Sequence, residues 1–206
     1  MSSVPAHLPT HKTSITKEEV NQLPLFRYEG TIHLVRTQEE LKKALLRIQQ
    51  EEYLGFDTET RPCFQKGSTY PPSLIQIACS DCVYLITLGT IPFCRQLAQL
   101  FGDDSIIKAG VAIGDDIKIL NRLYPFVAKG MIDLTAIARR HGLATQGLRT
   151  LAANFLGIRV SKGAQCSNWQ QKNLSPQQIT YAATDAWVSR RIFQVMLHNG
   201  YTSLIC

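Results

Sequence analysis

The 206-residue chain has 45% hydrophobic and 18% charged residues, which is ordinary for a globular protein with a buried core and excludes disorder along its whole length. Its net charge of +6 permits a polyanionic partner such as nucleic acid without demanding one. No apolar run reaches the roughly 18 residues of a membrane-spanning helix, and residues 1–12 lack the apolar middle of a secretion signal, so we expect no membrane partner and a cytoplasmic location.

The N-terminal residues 1–29 are predicted to form an extension that is partly flexible. Residues 1 to about 14 are rich in Pro, Ser and Thr without periodicity, which is typical of a mobile tail. Thr16 and Glu19 then stand at capping-box spacing, which predicts a short helix.

A strand and an amphipathic helix are predicted next. Residues 30–36 alternate between apolar and polar side chains, as a strand does. Thr37 and Glu40 make a second capping box, and four apolar residues recur behind it at helical period, namely Leu41, Ala44, Leu45 and Ile48.

Three apolar runs at 53–57, 73–78 and 83–87 predict an antiparallel meander. A Pro- and Gly-containing loop over residues 61–72 separates the first two runs, and long loops beside strand ends are often functional. The second and third runs are close enough in sequence to be joined by a hairpin turn.

Strands and helices alternate in the second half of the chain, which predicts parallel pairing. The expected strands are 106–111 and 131–133, and the helix at about 114–124 has Ile117, Leu120 and Leu123 as its apolar stripe. The other expected helices are 92–101, 134–141, 148–156 and 176–198. We therefore expect one α/β domain over residues 30–198, with a central mixed sheet between helices and a C-terminal tail over 199–206.

The last predicted helix has the clearest start signal. Ser175 and Gln178 form a capping box around Pro176, which suits the first helical position. Tyr181 and Asp185 are four residues apart inside this helix and should share one face.

Acidic residues from separate predicted elements could meet Asp185. Asp57 and Glu59 face the same side of a strand if the strand persists that far, and Asp116 lies near the start of a helix that follows a strand. Four ionised carboxylates would repel one another, and divalent cations with oxygen ligands, Mg²⁺ or Mn²⁺, are the natural compensation. Taken singly, each acid is more often solvated than catalytic.

Two such ions roughly 4 Å apart can clamp a phosphodiester, one activating water and the other steadying the leaving oxygen. Tyr181, one turn from Asp185, is placed to orient that water. The same residues would then serve as metal ligands and as a hydrolytic site.

Three motifs in order resemble those of the DEDDy 3'-5' exonucleases, a superfamily that includes ribonuclease D, the Werner syndrome exonuclease domain and polymerase proofreading domains. The motifs are Phe56–Thr60, Gly110–Leu120 and Tyr181–Asp185. The similarity also takes in Pro72–Ala78 and Gln165–Trp169. It implies a ribonuclease H-like fold, 3' polarity and nucleoside 5'-monophosphate products. Since no helical domain of the ribonuclease D kind follows, stand-alone bacterial and Werner-type domains are the expected nearest form.

The resemblance implies a role for each site residue. Asp57, Glu59, Asp116 and Asp185 match the metal-binding carboxylates, which would hold two divalent cations, and Tyr181 matches the tyrosine that positions the nucleophilic water. The family spacing selects Asp116 over its neighbour Asp115. The sibling DEDDh branch has a histidine five residues before the last acid, where this chain has Thr180.

The expected partner is nucleic acid with a free 3' end, single-stranded or recessed, and no organic cofactor is expected. Candidate phosphate contacts are Arg61, Lys66 and Lys162, and candidate stacking residues are Phe64, Tyr70 and Trp169. Ordinary loop charges and core aromatics explain these residues equally well, and Trp169 also suits a packing anchor before the last helix. DNA and RNA both remain open as substrates.

Two other functions remain open. A nuclease fold without turnover could serve as a nucleic-acid-binding module, although no motif acid is missing. Six cysteines in a chain of this size are expected to be reduced thiols. Cys79 and Cys82 have zinc-like spacing without a second pair, so two cysteines flanking a hairpin turn are favoured over a zinc site.

Overall fold

A computed structural model describes residues 12–62, 70–144 and 147–202. Its strands are β1 Thr31–Val35, β2 Tyr53–Glu59, β3 Leu74–Ala78, β4 Cys82–Thr87, β5 Ile107–Gly110 and β6 Met131–Asp133. Its helices are α1 Lys17–Gln22, α2 Gln38–Ile48, α3 Arg95–Phe101, α4 Gly114–Leu123, α5 Leu134–Arg140, α6 Leu148–Leu156 and α7 Pro176–His198.

The strands form one mixed sheet in the order β1-β4-β3-β2-β5-β6. The predicted meander is confirmed, because β2 pairs with β3 and β3 with β4 in antiparallel fashion. The predicted parallel pairs are also confirmed between β2 and β5 and between β5 and β6. At the opposite edge β1 pairs parallel with β4, a pairing for which the sequence pattern gives no signal. The α/β class with a mixed sheet between helices is as expected.

Three helices begin where capping boxes predict. In α1, α2 and α7 the cap side chain accepts the backbone N–H three residues on, and the Glu or Gln at that position reaches back to the cap N–H. Both reciprocal bonds satisfy donors that a helix start leaves free. The helix α2 buries the predicted stripe of Leu41, Ala44, Leu45 and Ile48.

Two expectations in the middle of the chain are wrong in detail. The helix α3 begins at Arg95, later than residue 92, and the irregular, bent segment before it buries Ile91 and Phe93. Within α4, Leu120 is fully buried but Leu123 is 44% exposed, so Leu123 does not belong to the apolar stripe. The exposed side chains of Tyr124 and Val127 that follow show that this end of the helix lies at the surface.

The described part of the N-terminal extension packs on the domain. The Lys12 N–H donates to Asn154 Oδ1 at 2.9 Å, and the Thr13 carbonyl accepts from the Ala144 N–H at 2.7 Å, so these two residues are not part of a mobile tail. The ring of Phe26 stacks on Trp187 with centroids 4.9 Å apart. Residues 1–11 of the expected tail and 203–206 of the C-terminal segment lie outside the described residues.

Cys79 and Cys82 flank the turn between β3 and β4, as predicted for a hairpin. The Cys79 N–H donates to the Cys82 carbonyl at 2.8 Å, and both thiols are free and buried. Burial raises the pKa of the Cys79 thiol. Within the described ranges no third ligand side chain joins the pair, which disfavours the zinc alternative. None of the helices described is both long and apolar enough to span a membrane.

The helix α7 lies directly on β2 because Gly55 allows close approach. A Cβ atom at Gly55 would stand 1.9 Å from the Ala186 carbonyl oxygen and 2.8 Å from the Arg190 backbone nitrogen. Side chains of any size would therefore push the helix away from the strand. This contact fixes the distance between the two elements that carry Asp57 and Asp185.

We expect Gly55→Ala to lower the free energy of unfolding by about 1–3 kcal/mol, because both opposing atoms belong to the backbone and cannot rotate away. Equilibrium urea unfolding measures this. Gly89→Ala is the matched control, since nothing lies within 4 Å of its Cβ position. The control should change stability by less than about 0.5 kcal/mol. Equal stability of the two variants would contradict the close packing of α7 on β2.

A buried ion pair joins the same two elements at their other end. Arg190 Nη2 on α7 donates to Glu51 Oε2 at 2.9 Å, just before β2, and both side chains are less than a tenth exposed. Glu51 also accepts from the Ser80 N–H at 3.0 Å and from Arg47 Nη2 at 2.6 Å. Burial raises the pKa of Glu51, but these hydrogen bonds outweigh it and bring the pKa to about 2. The pair is thus charged at neutral pH and holds α7 in register with β2.

Candidate active site

Three carboxylates converge where β2 ends beneath α7. The strand persists through Glu59, so Asp57 and Glu59 point to the same face of the sheet, and Asp185 approaches them from the helix. One carboxylate oxygen from each residue lies within 4.8 Å of the other two. Glu59 and Asp185 are buried, with 8% and 5% of their surface exposed. Among the described residues this is the cluster with the geometry of a metal site.

Asp116 and Asp115 have different surroundings although they are adjacent. Asp116 Oδ1 accepts a hydrogen bond from Thr58 Oγ1 at 2.5 Å, which links it to the residue between Asp57 and Glu59. Asp115 has an 88% exposed side chain that pairs with Lys118 at 2.8 Å. Asp116 therefore adjoins the carboxylate group without belonging to the set within 4.8 Å, and Asp115 points to solvent.

The turn from β5 into α4 places Asp116 beside the strand. Ala112 has a left-handed φ of 57°, a conformation that a non-glycine residue adopts only when its surroundings hold it there. Asp133 does so by accepting the Ala112 N–H at 3.0 Å. Gly110 lies so close to β2 that a Cβ atom would stand 2.5 Å from the Phe56 carbonyl oxygen. The start of α4 is consequently fixed against β2.

Burial and mutual repulsion raise the pKa values of the clustered acids. Burial, followed by the charges of Asp185 and Asp116, holds the pKa of Asp57 well above its usual value. Burial, followed by the charges of Asp57 and Asp185, raises the pKa of Glu59 to about 10. Burial also raises the pKa of Asp185, although a hydrogen bond with Tyr181 lowers it in part. The main influences on these pKa values are burial and the other acids rather than Lys or Arg side chains. Ionised acids at this site therefore keep a negative charge that the protein does not compensate.

Tyr181 lies half-buried beside Asp185, one turn earlier on α7. Burial, then the charges of Asp185 and Glu59, raise the pKa of its hydroxyl, and its hydrogen bond with Asp185 acts in the same direction. The hydroxyl therefore stays protonated at neutral pH and can donate one hydrogen bond while accepting another. Its ring packs against Trp169 with centroids 6.0 Å apart, which fixes the direction of the hydroxyl.

The raised pKa of Glu59 predicts that the stability of the metal-free protein depends on pH. Because the folded protein retains a proton that the unfolded chain releases near pH 4.5, we expect metal-free stability to fall as pH rises from about 5 toward 10. The expected slope is about 1.4 kcal/mol per pH unit for each proton retained. Urea unfolding in EDTA measures it. Glu59→Gln should flatten the slope, whereas an unchanged slope in this variant would contradict the assignment.

An open cavity of about 570 Å³ adjoins the acids. Lys162 lines its wall, in agreement with its candidacy for a phosphate contact. Several lining residues are missing from the sequence-based candidates, among them Lys17, Arg149, Ser161 and Gln165. Lys17 and Arg149 come from α1 and from the first turn of α6, and nothing local in the sequence links either stretch to the acidic motifs.

The other substrate candidates lie apart from this cavity or outside the described chain. Arg61 is exposed, and its guanidinium donates to Gln170 Oε1 and to the Tyr70 hydroxyl, each at 3.0 Å, while lying over the Tyr70 ring. Trp169 is only 2% exposed, so it cannot stack on a base without leaving its contact with Tyr181, and its role here is packing. Lys66 and Phe64 lie outside the described residues.

Gln76 is a further site neighbour that sequence reasoning missed. It lies directly opposite Asp57 in the pairing of β3 with β2 and is fully buried. Neither polar atom of its side chain has a hydrogen-bond partner among the described residues. Its place in the Pro72–Ala78 motif was visible in the sequence, but a Gln in an apolar strand carries no signal of what it faces.

The comparisons agree with this geometry. A family model described as 3'-5' exonuclease matches residues 32–200. The human exonuclease mut-7 homolog is 30% identical over 211 residues, covering 87% of this chain and 24% of that protein. The ribonuclease D of Gluconacetobacter diazotrophicus is 30% identical over 170 residues, covering 81% of this chain and 42% of that protein. The chain thus spans less than half the length of these relatives.

Solved structures share the fold. The Nibbler EXO domain of Aedes aegypti has a TM-score of 0.74 and 25% identity, covering 86% of this chain and 91% of that one. The ribonuclease D of Escherichia coli has a TM-score of 0.75 and 21% identity, covering 85% and 47% respectively. This arrangement of sheet and helices, shared with those exonuclease structures, is the ribonuclease H-like fold. With the family match extending over residues 32–200 and the acids of its first and last motifs gathered around one cavity, the chain belongs to the 3'-5' exonuclease family.

Proposed function

We propose that this protein is a metal-dependent exonuclease that hydrolyses phosphodiester bonds from the 3' end of nucleic acid and releases nucleoside 5'-monophosphates. The observation that carries the proposal is the convergence of Asp57, Glu59 and Asp185 within 4.8 Å beside the Tyr181 hydroxyl. Family membership supports the 3' polarity, and the nucleoside 5'-monophosphate product is what the motif resemblance implies.

The donor set fits hard divalent cations. Its ligand atoms are carboxylate oxygens, and burial followed by repulsion between the acids raises the pKa values of Asp57 and Glu59, a cost that a bound cation would offset. Asp57, Glu59 and Asp185 would hold such ions directly, and Asp116 would contribute from its place beside Thr58. Two Mg²⁺ or Mn²⁺ ions bound there would supply an activated water and positive charge opposite the leaving oxygen.

The chain's own residues orient the reactants. The protonated Tyr181 hydroxyl, already directed by its contact with Asp185, would hold the attacking water in line with the terminal phosphodiester. Lys162 on the cavity wall would contact the substrate phosphates. Arg61, exposed two residues beyond Glu59, would meet a strand that leaves the cavity on that side.

The substrate class is nucleic acid, single-stranded or with a recessed 3' end. Several relatives have the name ribonuclease D, and a ribonuclease D structure from Trypanosoma brucei was solved with RNA U12, which makes RNA a necessary arm of any assay. DNA is the other arm, because a mouse relative is named bifunctional 3'-5' exonuclease/ATP-dependent helicase WRN, a name that does not specify RNA. Cytoplasmic location stays a prediction.

The test is degradation of matched DNA and RNA strands that carry a 5' label, in Mg²⁺ or in Mn²⁺. We expect a ladder that shortens from the 3' end, and nucleoside 5'-monophosphates as the mononucleotide product by chromatography. EDTA should abolish both. Full activity in EDTA, or products that carry a 3'-phosphate, would overturn the proposal. Binding of the strand with no metal-dependent product would instead identify a binding module.

A further inference from the structure

The N-terminal extension forms part of the wall of the catalytic cavity. The helix α1 lies outside residues 32–200, which are the ones that match the exonuclease family. Nevertheless Lys17 and Val20 of α1 line the cavity that contains Asp57 and Asp185. Farther along the extension, Phe26 and Arg27 line an adjoining cavity of about 390 Å³, which shares Tyr181 and Asp185 with the first.

The structure holds α1 firmly in this position. Its capping box is complete, and Lys12 pairs with Glu19 at 2.5 Å across its first turns. Val20 is only 2% exposed. Arg149, in the first turn of α6, donates a hydrogen bond to the Asn21 side chain. The helix and the start of α6 therefore form one continuous surface beside the acids.

This surface is basic and its charges are not paired. Lys17, Arg149 and Lys162 all line the cavity. None of the three forms an ion pair with another described residue. A cavity lined by clustered acids and by unpaired cations matches a phosphodiester chain whose end lies at the acids and whose backbone runs along the wall.

We propose that α1 and the start of α6 form a binding site for the backbone phosphates of the strand, upstream of its 3' end, with Lys17 and Arg149 as the phosphate contacts. The proposal rests on the proposed exonuclease function and adds a substrate site from a segment outside the family match. The N-terminal extension then contributes directly to substrate binding.

Binding to a fluorescent 12-nucleotide single strand, followed by anisotropy over a series of salt concentrations, tests the proposal. All proteins carry Asp57→Asn so that the strand stays intact. Lys17→Ala should weaken binding about threefold to tenfold and make the slope of log affinity against log salt shallower by about 0.7, the value for one lost phosphate contact on a single strand. Lys17→Arg should restore both. Lys42→Ala, which removes an exposed lysine on α2 away from the cavity, should change neither.

The same substitutions in the otherwise unmodified protein separate this proposal from the exonuclease function. Lys17→Ala should raise KM for a 12-nucleotide strand several-fold more than KM for a dinucleotide, since a dinucleotide cannot reach the wall. A Lys17→Ala protein with the affinity and salt slope of the Lys42→Ala control would overturn the phosphate site while leaving the nuclease intact. Failure of the unmodified protein to degrade any strand would overturn the exonuclease function instead.

Discussion

Asp57→Asn should reduce exonuclease turnover by about a thousandfold or more, equivalent to about 4 kcal/mol of lost transition-state stabilisation. The substitution keeps the shape of the side chain and removes one of the three charges that converge within 4.8 Å. Burial, followed by the charges of Asp185 and Asp116, raises the pKa of Asp57, so its carboxylate is within electrostatic reach of both acids. Single-turnover degradation of a 5'-labelled strand at saturating Mg²⁺ measures the loss.

The control for this variant is Asp115→Asn, which removes an equivalent charge from an exposed side chain on α4. We expect it to retain turnover within about twofold, while Asp116→Asn, one residue away, should lose it, because Asp116 faces Thr58 and Asp115 faces solvent. Equal losses in the two α4 variants would contradict the separation of these acids, and near-normal turnover in Asp57→Asn would contradict the site itself.

Without metal, Asp57→Asn should make the folded protein more stable than the unsubstituted one. The amide cannot ionise, so the fold no longer has to hold a proton on this acid, nor does it bear the repulsion of Glu59 that adds to burial in raising the pKa of Glu59, and we expect a gain of about 1–2 kcal/mol near neutral pH in EDTA. Loss of activity together with a gain of stability is expected of a site that needs a bound cation. Misfolding of the variant would lower the stability instead.

Tyr181→Phe and Asp185→Asn should separate orientation of the water from metal binding. Tyr181→Phe keeps the ring that packs against Trp169 and removes only the hydroxyl. We therefore expect kcat to fall about 10²–10⁴-fold, while the affinity for Mn²⁺ and the affinity for the strand stay nearly unchanged. Asp185→Asn removes a clustered carboxylate and should weaken Mn²⁺ binding itself. Calorimetric titration with Mn²⁺ compares the two.

The two α7 variants should differ in their affinity for Mn²⁺ and not in their fold. The two substituted residues lie one turn apart on a helix that packs closely on β2 at Gly55, so both proteins should have the same far-ultraviolet circular dichroism. Equal loss of Mn²⁺ affinity in the two would refute the division of roles along the helix. Undiminished kcat in Tyr181→Phe would remove the tyrosine from the mechanism.

Local signals in the sequence predicted much of this molecule. The capping box at Ser175 and Gln178 placed the start of α7 correctly, and with it the shared face of Tyr181 and Asp185. The period of two in β2 placed Asp57 and Glu59 on one side of the sheet. Such features depend on contacts between residues within a few positions of one another, which a sequence displays directly.

What the sequence did not reveal depends on contacts between distant segments. The parallel pairing of β1 with β4 joins residues about fifty positions apart, and nothing in either strand specifies the other. Lys17 lines the cavity beside the acids because α1 packs near α6, more than a hundred residues later. Trp169 could equally have been a stacking ring or a packing anchor, and only its burial beside Tyr181 decides for packing.

Anomalous scattering from a crystal soaked in Mn²⁺ shows whether the clustered carboxylates bind metal, because it locates the ions without relying on activity. We predict an anomalous peak coordinated by Asp57, Glu59 and Asp185, with a second peak on the side of Asp116, and the loss of these peaks in Asp57→Asn. A protein that degrades strands in Mn²⁺ but shows no peak at these carboxylates would show that they are not its metal site.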